Sequence, residues 1–281
     1  MQGVLAALLF LLLALLSPAH GLFRIPPPPQ AAPIDGLIST VAEAILRGRL
    51  QQADRVEVRV DSGSPIELIS GTVRGVRVRG SNWCTPMRLS CRSLEVSVGR
   101  AAVDVPSLIT KQAITLVQPA IGKATISFSA ADWGSFLEHP LFIQAISAKL
   151  SASKTSLRRE PPKFGSASVS FEEGVIRFPV LWDSIKLDVR LGQPLTSKAA
   201  VVTAVVIEQP IADSHAPNGV EEHPQIAASE ATMWLTSFFN ELELNLDGVR
   251  FRFARLTIDS QTLILDLRVV VNRFPSPMVN F

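Results

Sequence analysis

The chain has 281 residues, of which 47% are hydrophobic, and a net charge of +2 from 27 basic and 25 acidic side chains. A nearly neutral chain is not expected to be a general nucleic-acid binder, because that function depends on clustered positive charge. The length suffices for one large domain or two small ones.

Residues 4–16 form an uninterrupted apolar run, and Ala19 and Gly21 follow it in a small-residue cleavage pattern. The run has the length of a signal-peptide core and is short for a bilayer span. No Lys or Arg precedes it, so an uncleaved membrane anchor is the alternative. We predict a signal peptide over residues 1–21, a Pro-rich linker over 22–34, one domain over 35–275 and a tail over 276–281.

This leader predicts export to a secreted, periplasmic or endomembrane compartment, or to a plastid if the chain comes from an alga. The first helix is expected over residues 37–50, where apolar residues recur at helical spacing. Beyond it the period changes to two, as in residues 55–61, where Val alternates with charged side chains. Such half-polar strands recur to the end of the chain and predict an α+β fold, a curved antiparallel sheet with helices on its concave side.

Residues 127–142 carry the clearest local signals. Ser129 and Asp132 are spaced as a capping box, and Pro140 ends the helix that they begin. A further helix is expected over residues 229–241. Both regions are rich in large apolar side chains, which fit either an ordinary core or the lining of an apolar cavity. These side chains are Trp133, Phe136, Leu137, Phe142, Ile146, Trp234, Phe238 and Phe239.

The two cysteines, Cys84 and Cys91, are the only ones in the chain. In an exported protein, two cysteines at this short spacing predict a disulfide that closes a loop or hairpin. Two free buried thiols are the alternative.

Basic residues are concentrated between residues 70 and 100, where six arginines accompany a single acid, Glu95. Arg74, Arg77 and Arg79 are candidates for contact with phosphate head groups or an anionic membrane surface. The alternative is that they form the solvated face of a sheet.

The chain offers little to an enzyme. His139, His215 and His223 are the histidines beyond the leader, and no His pair stands at metal-binding spacing. No nucleophile-elbow, Walker or dinucleotide-binding motif occurs. We therefore predict no catalytic residue, no metal and no cofactor.

Four segments together resemble the LmeA-like phospholipid-binding family, especially its cyanobacterial and plastid-type members. The resemblance extends over about residues 37–275, and residues 130–140 carry its best match. The segments are IELISGTVRGV at 66–76, AADWGSFLEHP at 130–140, FFN at 238–240 with LDG at 246–248, and RFP at 273–275. Cys84 and Cys91 are not part of the family pattern, and the loop around His215 resembles an insertion.

The resemblance implies phospholipid binding without catalysis. It also implies a tubular lipid-binding architecture, in which a curled antiparallel sheet wraps amphipathic helices around an apolar tunnel. The predicted function is phospholipid binding, with lipid transfer or membrane-lipid homeostasis as its role, and the predicted partners are phospholipid and a membrane surface. A structural domain with a solid core, which docks an acidic partner through its arginines, is the alternative. No particular oligomeric state is predicted.

Overall fold

A computed structural model describes residues 34–64, 66–67, 70–104, 115–152, 161–172, 174–182, 185–194, 199–208, 224–246 and 248–273. The predicted signal peptide, most of the predicted linker, the loop around His215 and the predicted tail lie outside these residues. No helix in the described ranges is long and apolar enough to cross a membrane. The α+β class is confirmed, and every strand pairing among the described residues is antiparallel.

The first half of the chain forms one helix and most of a large sheet. Its elements are α1 (Ile34–Arg49), β1 (Arg55–Asp61), β2 (Thr72–Val73), β3 (Gly75–Cys84), β4 (Ser90–Val98), β5 (Ala101–Ala102) and β6 (Thr115–Phe128). Strands β1, β3, β4 and β6 lie side by side, while β2 and β5 form a separate two-stranded sheet.

Two short helices follow β6 directly: α2 (Ala130–Glu138) and α3 (Pro140–Ala152). The predicted capping box is confirmed, because the Ser129 side chain accepts from the Asp132 N–H at 3.2 Å and Asp132 accepts from the Ser129 N–H at 3.0 Å. Gly134 lies against the backbone of Ser166, where a Cβ would clash with the Ser166 carbonyl oxygen. Glycine therefore allows α2 to approach the following segment closely.

The second half adds a five-stranded sheet and completes the large one. Its elements are β7 (Lys163–Phe164), β8 (Ser170–Glu172), β9 (Val175–Trp182), β10 (Ile185–Gly192), β11 (Val201–Glu208), α4 (Pro224–Asn240), β12 (Glu243–Leu246), β13 (Val249–Ile258) and β14 (Leu263–Arg273). The large sheet has the order β1-β3-β4-β6-β14-β13-β12, and the smaller one has the order β11-β10-β9-β7, with β8 also paired to β9.

The prediction of one curled sheet around a tunnel is confirmed only in part. The described strands form separate open sheets, and the residues between them pack into one hydrophobic core. The alternation along each strand predicts which face is apolar, but it does not say which strands share a sheet. Helix α4 also begins earlier than predicted, at Pro224, because proline suits a first helical position that carries no apolar periodicity.

Helix α4 covers the open edge of β11 with side-chain hydrogen bonds. Thr232 Oγ1 accepts from the Ala204 N–H at 2.9 Å, and Thr236 Oγ1 accepts from the Val202 N–H at 3.2 Å. Four helical residues rise about 6 Å and two strand residues about 6.7 Å, so side chains at i and i+4 match alternate N–H groups of the strand.

Asn240 continues this series by a further turn. Its Oδ1 accepts from the Ala200 N–H and its Nδ2 donates to the Ala200 carbonyl, both at 2.8 Å. Helix α1 covers the edge of β1 with hydrogen bonds of the same kind. Ser39 Oγ accepts from the Val60 N–H at 3.1 Å, and Glu43 Oε1 accepts from the Val58 N–H at 2.9 Å. These edge N–H groups of β1 and β11 are therefore not free to pair with a further strand.

Asn240→Ala is expected to lower the free energy of unfolding by about 3 kcal/mol, because it leaves both backbone groups of the buried Ala200 unsatisfied. Urea denaturation measures this change. Ser237→Ala on the same helix is the control, since its side chain bonds only the exposed Glu241, at 3.0 Å. A loss for Asn240→Ala no larger than that of the control would show that α4 is not held to β11 by these bonds.

Candidate functional site

Ten aromatic rings form one continuous group between the seven-stranded sheet and the five-stranded sheet. We call this group the aromatic cluster. Helix α2 contributes Trp133 and Phe136, whose ring centroids lie 5.2 Å apart. Phe136 lies 5.0 Å from Phe142 of α3, and Phe142 lies 5.5 Å from Phe238 of α4. The full cluster consists of Phe128, Trp133, Phe136, Phe142, Phe164, Phe178, Trp182, Trp234, Phe238 and Phe239.

The structure thus brings together all the side chains that the sequence assigns to a tunnel lining. Leu137 and Ile146 are buried beside the rings, and Trp234 is half-buried. The rings that sequence reasoning omitted, Phe128, Phe164, Phe178 and Trp182, lie on or beside strands. Period-two alternation places strand residues on an inner face, but only the assembled sheets place them against these helices.

Three nitrogen donors inside this region have no hydrogen-bond partner among the described residues: Trp133 Nε1, Trp234 Nε1 and His139 Nε2. Trp133 and His139 are at most 3% exposed. A buried N–H group without an acceptor costs free energy, so these positions lower the stability of the packed region.

His139 joins α2 to α3. Its N–H donates to the Phe136 carbonyl at the end of α2, and its Nδ1 accepts from the Leu141 N–H at the start of α3. It therefore acts as an N-cap that is followed by proline at the first helical position. Burial lowers the pKa of His139, because the charged imidazolium loses hydration.

The inner face of the large sheet is covered unevenly. On β14 the inward side chains Leu263, Leu265, Leu267, Val269 and Val271 are all at most 4% exposed. The inward side chains of β3 and β4 are only half-buried, and we call them the aliphatic strip. The strip consists of Val76, Val78, Leu94, Val96 and Val98. The strip is one candidate surface of the inner face for an apolar ligand, and Phe251 and Phe253 of β13, which are also inward and half-buried, form another.

The three arginines predicted to meet head groups are each held by an acid. Arg74 donates to Glu67 at 2.8 Å, away from the other two. Arg79 lies 2.9 Å and Arg77 3.9 Å from Glu95 on the outer face of the large sheet. Hydrogen bonding to Glu95 raises the pKa of Arg79. Each of the three arginines therefore has an acid beside it, and one of these acids, Glu67, precedes the Arg-rich stretch that the sequence analysis considered.

The family profile described as LmeA-like phospholipid-binding matches residues 30–268, which is most of the chain. The chain belongs to this family. The matched residues contain all four described helices and all the described strands except the end of β14. No curated protein matches the chain significantly. No solved structure matches it significantly either.

This LmeA-like protein has no metal site in its described part, where no three His, Cys, Asp or Glu side chains are grouped closely enough to hold an ion. The family is defined by phospholipid binding rather than by catalysis. The residues 130–140 that resemble the family form α2, its C-cap His139 and the first residue of α3, so the family segment contributes to the aromatic cluster and joins α2 to α3.

The predicted disulfide of this LmeA-like protein is absent from the structure, where Cys84 and Cys91 are thiols. The β3–β4 register pairs Cys91 with Trp83, and Cys84 with Ser90. Consecutive strand residues face opposite sides, so the two thiols point away from each other. Burial, followed by the nearby Asp132 carboxylate, raises the pKa of Cys91 to about 12.

We expect two alkyl adducts when the unreduced protein is denatured and treated with iodoacetamide, because the register separates the thiols. Intact mass spectrometry measures the adducts. A protein that takes up none before reduction and two after it would contradict this register.

We expect the stability of the fold to fall as the pH is lowered from 7 towards 5. The folded pKa of His139 lies below its unfolded value of about 6.5, so protonation favours the unfolded chain, and stability present above 6.5 is lost as the pH falls through the folded pKa. Urea denaturation across this range measures the slope. His139→Asn keeps a capping acceptor and removes the titration, so its slope should be flatter. An equal slope in both proteins would assign the pH effect to other groups.

Proposed function

We propose that this protein binds phospholipid without catalysis, with the acyl chains lying along the aliphatic strip. Membership of the LmeA-like phospholipid-binding family carries the proposal. The half-covered strip supports it, because the same sheet fully buries its inward side chains at β14.

The energetics favour reversible binding. Burying one methylene contributes about 0.8 kcal/mol, so a sixteen-carbon chain gains on the order of 12 kcal/mol relative to water. A bilayer offers the same chain a similar gain. A protein surface of this kind therefore exchanges lipid with a membrane at little net cost, which fits a role in lipid transfer or membrane-lipid homeostasis.

The aromatic cluster forms the floor of the proposed site. Its rings pack tightly, and each aromatic pair adds about 0.5–1.5 kcal/mol beyond the area that it buries. Trp133 Nε1 and His139 Nε2 are donors without acceptors in this floor. Both donors are enclosed by the packed side chains, so they lie beneath the surface proposed for the acyl chains.

The proposed compartment follows from the leader. Residues 1–21 have the pattern of a signal peptide, so the proposed site of action is an exported compartment, or a plastid if the chain comes from an alga. A membrane surface then supplies and accepts the lipid.

A second candidate function is a structural domain that docks an acidic partner through its arginines. The tightly packed aromatic cluster favours it, because a solid core needs no ligand. Native mass spectrometry separates the two candidates. Copurified phospholipid supports lipid binding, whereas an unliganded mass together with no uptake from liposomes supports the structural domain.

Val96→Asp is expected to reduce lipid occupancy at least ten-fold, because a carboxylate in the aliphatic strip must lose hydration before an acyl chain can cover it. Native mass spectrometry after incubation with liposomes measures the occupancy, and thermal unfolding checks the fold.

Ser93→Asp is the matched control, since it adds the same charge three residues earlier, on the outer face of β4, where Ser93 stands opposite Ser81 and Ser127. It should leave lipid occupancy unchanged. If both variants remain folded and carry lipid like the unaltered protein, the strip is not the acyl site.

A further inference from the structure

An open depression of about 490 Å³ lies where β6, β12, β13 and β14 end, beside α3. Its lining is polar and basic: Thr115, Gln144, Asn245, Arg250, Asn272 and Arg273. No Asp or Glu is among the described residues that line it. The guanidinium, amide and hydroxyl groups of these described residues form a set of donors that suits a phosphate ester with polar substituents.

The position of Arg273 depends on a glycine. Gly248 has a φ of +96° in the turn between β12 and β13, and Arg273 packs directly over it, so a Cβ there would clash with the arginine side chain. The turn thus requires glycine for its backbone and for the arginine above it. This local arrangement keeps one of the two basic side chains of the depression in place.

Basic side chains extend from the depression across the outer face of the large sheet. Lys123 of β6 stands directly opposite Arg268 of β14, and Arg268 stands opposite Arg252 of β13. Arg252 binds Glu243 at 3.0 Å. Lys123, Arg250 and Arg268 are exposed, and none of the carboxylates in the described part of the chain pairs with them.

Like charges directly opposite each other destabilise a sheet. Arg250 lies on the same face two residues from Arg252, diagonal to Arg268, so Arg268 is repelled by Lys123 directly opposite it and by Arg250 beside it. An anion bound among them relieves this repulsion. Arg77 also stands opposite an arginine, Arg59, but Arg77 and Arg79 share Glu95 and Arg59 contacts Glu57, so each of these three has an acid beside it.

An apolar side chain accompanies the cations. Ile121 is 72% exposed, lies two residues before Lys123 on β6, and faces Val270 in the register. Val270 in turn faces Arg250. Exposed aliphatic groups beside cations fit the interface of a bilayer, where chains and charged head groups meet, better than they fit a soluble phosphate.

We propose that the depression, together with Lys123 and Arg268, binds the phosphodiester head group of an anionic phospholipid at a bilayer surface. The proposal rests on the proposed lipid-binding function and adds the surface by which the protein would contact the membrane. It places the head-group contact at the ends of β13 and β14 rather than at Arg74, Arg77 and Arg79.

The test compares binding of the full chain to phosphatidylcholine vesicles with and without phosphatidylglycerol. Arg250→Gln combined with Arg268→Gln should lower partition onto the anionic vesicles about 25-fold, since each cation near such a surface contributes a factor of about five. Lys186→Gln combined with Arg190→Gln is the control. It removes the same charge from β10 of the other sheet and should leave partition close to that of the unaltered protein.

Equal losses in both double variants would overturn the proposal, because they would indicate a general charge effect. Unchanged binding by the Arg250 and Arg268 variant would also overturn it.

Calorimetry with glycerol 3-phosphate separates the sources of phosphate, and tight binding of this soluble compound would make a free phosphate ester the ligand instead. Native mass spectrometry measures lipid occupancy, which tests the acyl site independently of the head-group site. If the double variant still carries lipid but no longer binds anionic vesicles, the result supports the head-group site. If the unaltered protein carries no lipid, the result contradicts only the proposed function.

Discussion

The central constraint on this fold is the uneven cover over the inner face of the large sheet. Helices α2, α3 and α4 and the smaller sheet pack with the inward side chains of β14 and most of the aromatic cluster into one buried core. The same sheet continues to β3 and β4, where the inward valines and Leu94 are only half-buried. Apolar area that folding leaves partly in water gains free energy when an apolar ligand covers it.

The helices also determine where the sheets stop. Polar side chains at i and i+4 on α1 and α4 occupy the edge N–H groups of β1 and β11, so both sheets end without further strands at these edges. Edges whose N–H groups are already hydrogen-bonded do not pair with a second chain. The sheets therefore end at these edges and do not join into a barrel. An open sheet with a packed floor and a half-covered strip is a surface that a lipid can enter and leave.

Local signals in the sequence predict local structure well. The capping box of Ser129 and Asp132, the alternation of the strands and the large apolar side chains of α2 and α4 all correspond to features of the structure. The division into two sheets was not predictable in this way, because it depends on which distant strands pair. The opposition of Lys123 and Arg268 depends on the same pairing, between β6 and β14. The register also separates Cys84 from Cys91, although their spacing favoured a disulfide.

Photo-crosslinking with a phospholipid that carries a diazirine in its acyl chain tests the central claim most directly. After incubation with the folded protein and irradiation, peptide mass spectrometry locates the modified residues. The account predicts adducts on the inward side chains of β3 and β4, at Val76, Val78, Leu94, Val96 and Val98. Adducts confined to the outer face of the sheet, or an absence of adducts on a folded protein, would contradict it.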